Sequence, residues 1–337
     1  MIKTETLSLA EIEDLAFKAL VQAGTDEANA RPLAQATAVT EADGVSSHGL
    51  AYIPIYCEHV QCGKVDGKAK PIVTRPKPSV VKVDAATGFA HAAIDKGFEE
   101  LVPLAREQGV AVLAINNSYN CGVLGIHTQR LAQQGLLAIG FTNAPASIAP
   151  SGGQKPVVGT NPFSIAAPDG QGNAAILIDQ SASTIAKSEV MKHAREGQEV
   201  PLGWVLDADG NPTTDPAEGL KGSMAPSGGY KGVGIALMVE MMAAAMSGAT
   251  LGIHASPFSG TVGGPPKTGQ FFIAIDPQAT SAGDFAERMV QLVGAVHAQP
   301  EARLPGDGRR NKSKNAQTNG VAVNSAVLDK IRAIISE

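Results

Sequence analysis

The sequence predicts an α/β fold with a helical N-terminal part. Three observations carry that prediction. The first sixty residues place apolar side chains at helical spacing. Between Ser79 and Thr142, strand-like and helix-like segments alternate twice, the mark of βαβ units. The chain has 337 residues, 44% apolar and 18% charged, which suffices for roughly two domains and a core that needs no metal or disulfide.

The elements follow in order. Ser8 and Glu11 form a capping-box pair, and Leu9, Ile12, Leu15, Ala16, Ala19 and Leu20 then repeat as one helical face. Asp26 caps a second helix reaching about Thr40. A third runs from His48 to about Val60, with Pro54 forcing a kink or a late start. Ser79–Asp84 alternates like a strand. His91–Gln108 reads as a helix stopped by Gly109, Val110–Ile115 as a strand, Leu124–Gln134 as a helix stopped by Gly135, and Leu136–Thr142 as a strand. Phe163–Ala167, Ala174–Ile178 and Phe271–Ile275 read as further strands. Met224–Gly248 combines a Gly-rich turn with a long buried helix. Phe285–Val296 and Val323–Ser336 read as helices, the last capped by Asn324. Glu199–Pro216 and Arg303–Asn319 are rich in turn residues and read as exposed loops.

Composition removes several function classes. The net charge of −5 gives no basic field for nucleic acid. Three cysteines without zinc-finger pairing suit a reducing cytoplasm, and the seven histidines form no metal-ligand spacing, so no metal is expected. Met1–Glu13 alternates acidic and apolar residues, unlike a secretory signal. Gly234–Ile253 has the length of a membrane span, but Glu240 sits inside it and Ser247 and Gly248 break it, so it reads as a buried helix. No G-x-G-x-x-G follows a strand, and no P-loop, H-E-x-x-H or G-x-S-x-G is present.

Six segments can carry chemistry. In Asp43–Gly49 a histidine, His48, stands between hydroxyls and glycines; it can exchange a proton near neutrality with help from Ser47, or be a surface residue after a helix cap. Asn116–Gly122 follows a strand, where amides suit a nicotinamide or phosphate, or build a polar turn. The helix start near Leu124 offers free N–H groups to an anion. Gly159–Pro162 precedes a strand. Ile178-Asp179-Gln180 ends one, followed by Lys187 and Glu189, which can meet a substrate or form a solvated helix face. Ser227–Gly232 joins glycines, a cation and a helix N-terminus into an anion site. Leu304–Arg310, with Lys312 and Lys314, fits the 2′-phosphate of NADP or a solvated charged loop.

Together, in this order, the segments resemble the malate/L-lactate dehydrogenase-like oxidoreductase family, which includes sulfolactate and ureidoglycolate dehydrogenases and cyclic imine reductases. The anchors are Ser47-His48-Gly49, Gly159–Pro162, Asp179, Gly229–Gly232 and Leu304-Pro305-Gly306, and they span nearly the whole chain. Asp207–Pro216 and Thr268-Gly269-Gln270 look most like the Δ1-pyrroline-2-carboxylate and Δ1-piperideine-2-carboxylate reductases of that family. The resemblance implies a non-Rossmann NAD(P)-binding mixed-sheet fold of the L-sulfolactate dehydrogenase-like type. Residues 1–78 would form the helical N-terminal region carrying His48 and packing with segment 300–337, and residues 79–299 the NAD(P)-binding α/β domain.

The implied activity is NADPH-dependent reduction of a cyclic ketimine to L-proline or L-pipecolate, with weaker use of NADH, in a cytoplasmic homodimer. His48 would donate the proton, with Ser47 and a carboxylate from the 185–190 segment, Glu189 beside Ser188, as relay. Tyr52, Thr160, Ala186 and Lys187 would meet the substrate. Asn120, Cys121, Gly122, Val123 and Leu124 would hold the cofactor, together with Ile178, Asp179, Gln180, Gly229 and Tyr230. So would Leu304, Pro305, Gly306, Asp307, Gly308, Arg309 and Arg310. Tyr52 stands where the family often has an arginine that grips a carboxylate, and Tyr119-Asn120-Cys121 replaces a histidine-containing loop. A tyrosine gives one hydrogen bond and no charge, which argues against a dicarboxylate and leaves Lys187 to neutralise the carboxylate. A 2-hydroxy-acid dehydrogenase of the same family and a non-catalytic metabolite-binding protein are the competing readings.

Overall fold

A computed structural model describes residues 3–336; Met1, Ile2 and Glu337 lie outside it. The order of elements is β1 (Thr4–Leu7), α1 (Leu9–Gln22), α2 (Glu27–Ala42), α3 (Ile53–Gln61), β2 (Ile72–Lys77), β3 (Val80–Asp84), α4 (Ala90–Gln108), β4 (Val110–Ser118), α5 (Leu124–Gln133), β5 (Leu137–Thr142), β6 (Phe163–Pro168) and β7 (Ala174–Gln180). Then come α6 (Lys187–Glu196), β8 (Val205–Leu206), β9 (Pro212–Thr213), α7 (Pro216–Lys221), β10 (Ser223–Met224) and α8 (Tyr230–Glu240), which runs into a π-helical turn, Met241–Ala245. The chain ends with β11 (Thr268–Ile275), α9 (Gln278–Ser281), α10 (Phe285–His297), α11 (Asp307–Asn319), β12 (Val321–Asn324) and α12 (Ser325–Ser336).

Seven strands form the central sheet in the order β2-β3-β4-β11-β5-β6-β7. Only β3 and β4 pair in parallel, joined over α4 as the alternation predicts. β4 and β5 also share a helical connection, α5, but β11 enters between them and runs antiparallel to both. The sheet is therefore mixed, as expected. Its two faces are covered by different layers, and β11 shows why. Successive side chains on a strand point to opposite faces. Phe272 packs with Ile94, Phe98 and Leu101 of α4, while Phe271 packs with Val239 and Ala243 of α8 and the π turn.

The N-terminal helices build a separate core. Ile12, Leu20, Leu33, Ile53 and Tyr56 pack with Val323, Leu328 and Ile331 from the other end of the chain, and β1 pairs with β12. Ser8 and Glu11 make the capping box, Asp26 caps α2 through Asn29 N at 2.9 Å, and the Asn324 side chain accepts from Ala326 N at 2.9 Å. Pro54 sits in the first turn of α3, so His48 lies before the helix, in a 3-10 turn (Ser46–His48).

The largest departure from expectation is 303–319, read as an exposed loop. Residues 307–319 are helix α11, with Ala316 as its one buried residue. A helix this polar carries no apolar stripe for a periodicity argument to find. Strands β1 and β12 have four residues each, and β2 is largely exposed, so they too escape an apolar-run criterion.

Candidate active site

His48 is placed by the 3-10 turn after α2, with its Nδ1 3.0 Å from Ser47 Oγ. That contact leaves Nε2 as the nitrogen free to exchange a proton with a ligand. Tyr52 lies parallel to the His48 ring, with centroids 6.1 Å apart. Its hydroxyl donates to the Phe258 carbonyl at 3.5 Å. Burial raises the phenol to about 12, so it stays neutral. Behind Tyr52 stand Tyr56, Phe89, Tyr119 and Phe258, each ring tilted or edge-on to the next. The wall beside His48 is aromatic.

Tyr119 and the loop around Phe258 are fixed from below. The Tyr119 hydroxyl meets His59 Nδ1, and His59 Nε2 lies 3.1 Å from the Gly260 carbonyl. Lys64, buried, donates to the carbonyls of Pro257 and Gly260 at 2.7 and 2.8 Å.

The charged part of the site comes from three distant segments. Asp179, at the end of β7, accepts from Arg309 Nη1 of α11 at 2.7 Å. It packs on the first turn of α5, where a Cβ on Gly125 would fall 2.7 Å from its Oδ2; only glycine leaves that space. The segment before α11 abuts β7: Leu177 N donates to the Pro305 carbonyl at 3.4 Å, and Gly306, at φ +95°, leaves 3.0 Å between a notional Cβ and the Leu177 Cβ. Burial lowers the pKa of His48, the Asp179 charge raises it, and Arg309 lowers it. Asp43 has the same two neighbours. Burial drives its carboxyl up to about 6, opposed by Arg309 and reinforced by Asp179.

The sign for Asp43 is definite. Its folded pKa of about 6 lies above the roughly 3.9 of an unfolded aspartate, so its ionisation disfavours the fold. That cost is absent below pH ~4, grows as pH rises to ~6 and is complete above it. Asp43→Asn should therefore raise the melting temperature of the ligand-free protein at pH 8, with the gain vanishing toward pH 4. A gain independent of pH would refute this account.

A cavity of 790 Å³ opens beside these groups, between α2, α5, β7, α10 and α11. Asp43, Leu177, Gly306, Arg309, Arg310 and Lys314 are in its wall. Arg310 holds the carbonyls of Ala174 and Ala175 at 3.1 Å, and Lys312 lies across Gly44. Cationic side chains for phosphate and a carboxylate for hydroxyls suit a nicotinamide dinucleotide. The buried Asp43 Oδ2, with no partner among the described residues, is a specific opening for such a group.

Of the residues expected to hold a cofactor, Gly306, Arg309 and Arg310 line this cavity. Asn120 Oδ1 accepts from Gly122 N at 2.6 Å; Cys121 is buried, its thiol pushed up to about 12, and is no nucleophile. The Cys121 carbonyl lies 2.9 Å from His127 Nε2, which fixes the Cys121–Leu124 turn ahead of α5. The Thr160 carbonyl holds Ala182 N at 2.8 Å, two residues beyond Gln180. Ser227 N donates to the Ala182 carbonyl at 2.8 Å, which sets Gly229 and Tyr230 beside the same strand end, although Tyr230 is exposed.

The 186–189 segment begins beside a different cavity. Lys187 lines a second cavity, of 240 Å³, with Ser147, Gly222 and Ser223. Its surface is still exposed, yet the surrounding protein lowers its ammonium pKa. Ser188 Oγ is buried without a partner among the described residues, and Glu189 faces Lys192 at 3.5 Å and His193 at 3.8 Å. The Asp179 charge raises the His48 pKa, and the polar contacts of Glu189 are to Lys192 and His193. Sequence reasoning missed Asp43 and Phe258 as site residues. Asp43 opens the histidine motif and was the one available signal; Phe258 lies 206 positions from Tyr52.

Comparison with known proteins shows the family. The family model described as malate/L-lactate dehydrogenase matches residues 7–332. The (2R)-3-sulfolactate dehydrogenase (NADP(+)) of Chromohalobacter salexigens is 40% identical, over 97% of both chains. The Δ1-pyrroline-2-carboxylate reductase of Ancylobacter novellus is 37% identical, again over 97% of both. The crystal structure of Δ1-piperideine-2-carboxylate reductase from Pseudomonas syringae pv. tomato superposes with a TM-score of 0.92 at 36% identity, covering 98% of this chain and 100% of that one.

Proposed function

The chain belongs to the malate/L-lactate dehydrogenase family and is an NAD(P)H-dependent oxidoreductase; from that premise we propose that it reduces a cyclic ketimine, Δ1-pyrroline-2-carboxylate or Δ1-piperideine-2-carboxylate, to L-proline or L-pipecolate. The observation that carries the choice is Tyr52 lying flat beside His48 in an aromatic wall. The cation acting on His48 is Arg309, and Asp179 already holds it. Such a pocket suits a ring with one carboxylate better than a small chain with two anionic groups.

NADPH, when bound, supplies the hydride for the imine carbon. We assign its phosphates to Arg310 and Lys314 on the cavity wall, and the turns at Asn120–Leu124 and Leu304–Gly306 to its close approach, with Arg309 held by Asp179 beside them. His48 holds the proton at Nε2 and gives it to the imine nitrogen, so that C=N becomes CH–NH. Ser47 fixes the ring through Nδ1, and Asp179 favours the protonated ring; the relay is drawn with Asp179 in place of Glu189. The aromatic wall excludes water and orients the substrate ring.

A second reading, a sulfolactate-type 2-hydroxy-acid dehydrogenase, rests on the 40% identity to the Chromohalobacter enzyme. One assay separates them. Purified protein with NADPH and Δ1-pyrroline-2-carboxylate should lose the nicotinamide absorbance rapidly, while NADP+ with sulfolactate should give no comparable reduction. The reverse pattern would replace the imine by the hydroxy acid.

We infer a homodimer from α8. Tyr230, Leu237, Met238 and Met241 recur on one helical face and are exposed, joined by Met246, Leu251 and Ile253. An apolar strip of this kind suits a second copy of the same face. Light scattering should give twice the chain mass, and Met241→Lys should shift it toward the monomer; a wild-type monomer would refute the inference. No described helix is long and apolar enough to cross a membrane. The free cysteines Cys57, Cys62 and Cys121 support a reducing cytoplasm as the working compartment.

A further inference from the structure

Asp43 is not used by the mechanism above, yet it is the least satisfied charged group near His48. It is 5% exposed, and its Oδ2 has no hydrogen-bond partner among the described residues. It lines the 790 Å³ cavity together with Arg309. A buried polar atom without a partner costs stability, so its retention calls for an account in function. Asp43 ends α2, and the 3-10 turn that carries His48 begins at Ser46, so Asp43 is the cavity-wall residue next to the proton-donating turn. Arg309 is turned to Asp179, and Lys312 lies across the adjacent Gly44.

We propose that Asp43 is a cofactor-binding residue whose free carboxylate oxygen accepts a hydroxyl of the nicotinamide ribose. The inference rests on the reading of the cavity as a nicotinamide dinucleotide site. The chemistry is simple. An ionised carboxylate is acceptor-only, and a ribose presents two adjacent hydroxyl donors. The position follows from His48, because the nicotinamide must reach the group that gives the proton. A carboxylate already desolvated in the ligand-free protein pays no further cost of leaving water when the hydroxyl arrives.

The test uses NADPH and 2′,5′-ADP, titrated into the wild type, Asp43→Asn and Asp43→Ala by calorimetry, with ligand-free melting at pH 8. Loss of a hydrogen bond to a charged acceptor should weaken NADPH about 10- to 100-fold in Asp43→Ala, and less in Asp43→Asn, which keeps an acceptor oxygen. The 2′,5′-ADP affinity should not move, because that probe lacks the nicotinamide ribose. Ligand-free melting of Asp43→Asn should hold or rise. Unchanged NADPH affinity in both variants would overturn the proposal. So would an equal loss for 2′,5′-ADP, or a loss seen only in a variant whose ligand-free melting has also fallen. If the wild type binds neither nucleotide, the cofactor reading itself fails, and that result is distinct from the others.

Discussion

His48→Ala should lower turnover with the cyclic imine by about 10²–10⁴, the usual worth of a positioned general acid. NADPH affinity should change much less, since the polar contact of His48 is to Ser47 and its ring stacks on Tyr52. The pH dependence adds a second signature. Burial holds the His48 pKa below the ordinary histidine range, so the protonated ring becomes scarcer as pH rises through neutrality. Reduction consumes a proton, so its rate should fall with rising pH, and the His48→Ala enzyme should lose that slope along with its rate. Ser47→Ala, which frees Nδ1 but keeps the ring, should cost less. Stopped-flow measurement of NADPH oxidation from pH 5.5 to 9 reads all of this. Wild-type turnover in His48→Ala would remove the residue from the chemistry.

The parts of this protein that were legible in its sequence were those written in local patterns. Capping at Ser8 and Asp26, the late start of α3 at Pro54 and the β3-α4-β4 unit all follow from neighbouring residues. The intrusion of β11 between β4 and β5 does not, because a strand about 130 positions away competes for the same edge. The site divides in the same way. His48, Ser47, Asp179 and Arg309 sit in motifs with unusual composition, which makes them legible as candidates. That Asp179 pairs with Arg309 depends on how β7 and α11 pack, which spacing along the chain cannot give. Helix α11 escaped because its residues are polar on every side; what fixes it is Gly306 turning at Leu177 and the Arg309–Asp179 pair.

Glu240→Leu should destabilise the protein by about 3–6 kcal/mol, the loss of two hydrogen bonds to a buried charged acceptor. In sequence, Glu240 interrupts an apolar run and argues against a membrane span. In the structure it is a tie between three segments. It is 7% exposed, and its oxygens accept from Asn161 Nδ2 at 2.7 Å and Gly252 N at 2.6 Å. Asn161 is itself fully buried at φ +37°, donates to the Ala236 carbonyl at 2.9 Å and accepts from Ala144 N at 3.1 Å. A leucine would fill the space, leave Gly252 N without its acceptor and leave Asn161 Nδ2 with the Ala236 carbonyl alone. Glu240→Gln should cost roughly half as much, because one amide oxygen remains and the amide NH₂ confronts a donor. Urea unfolding measures the difference, and a Glu240→Leu midpoint equal to wild type would show that the tie contributes nothing. Its reach extends to the site. Asn161 follows Thr160, whose carbonyl holds Ala182 just past Asp179, so a loosened Asn161 should slacken the strand end that positions the charge beside His48. Glu240→Gln, if it folds, should then raise KM for the imine as well as lower stability, whereas a purely local packing defect would leave KM where it was.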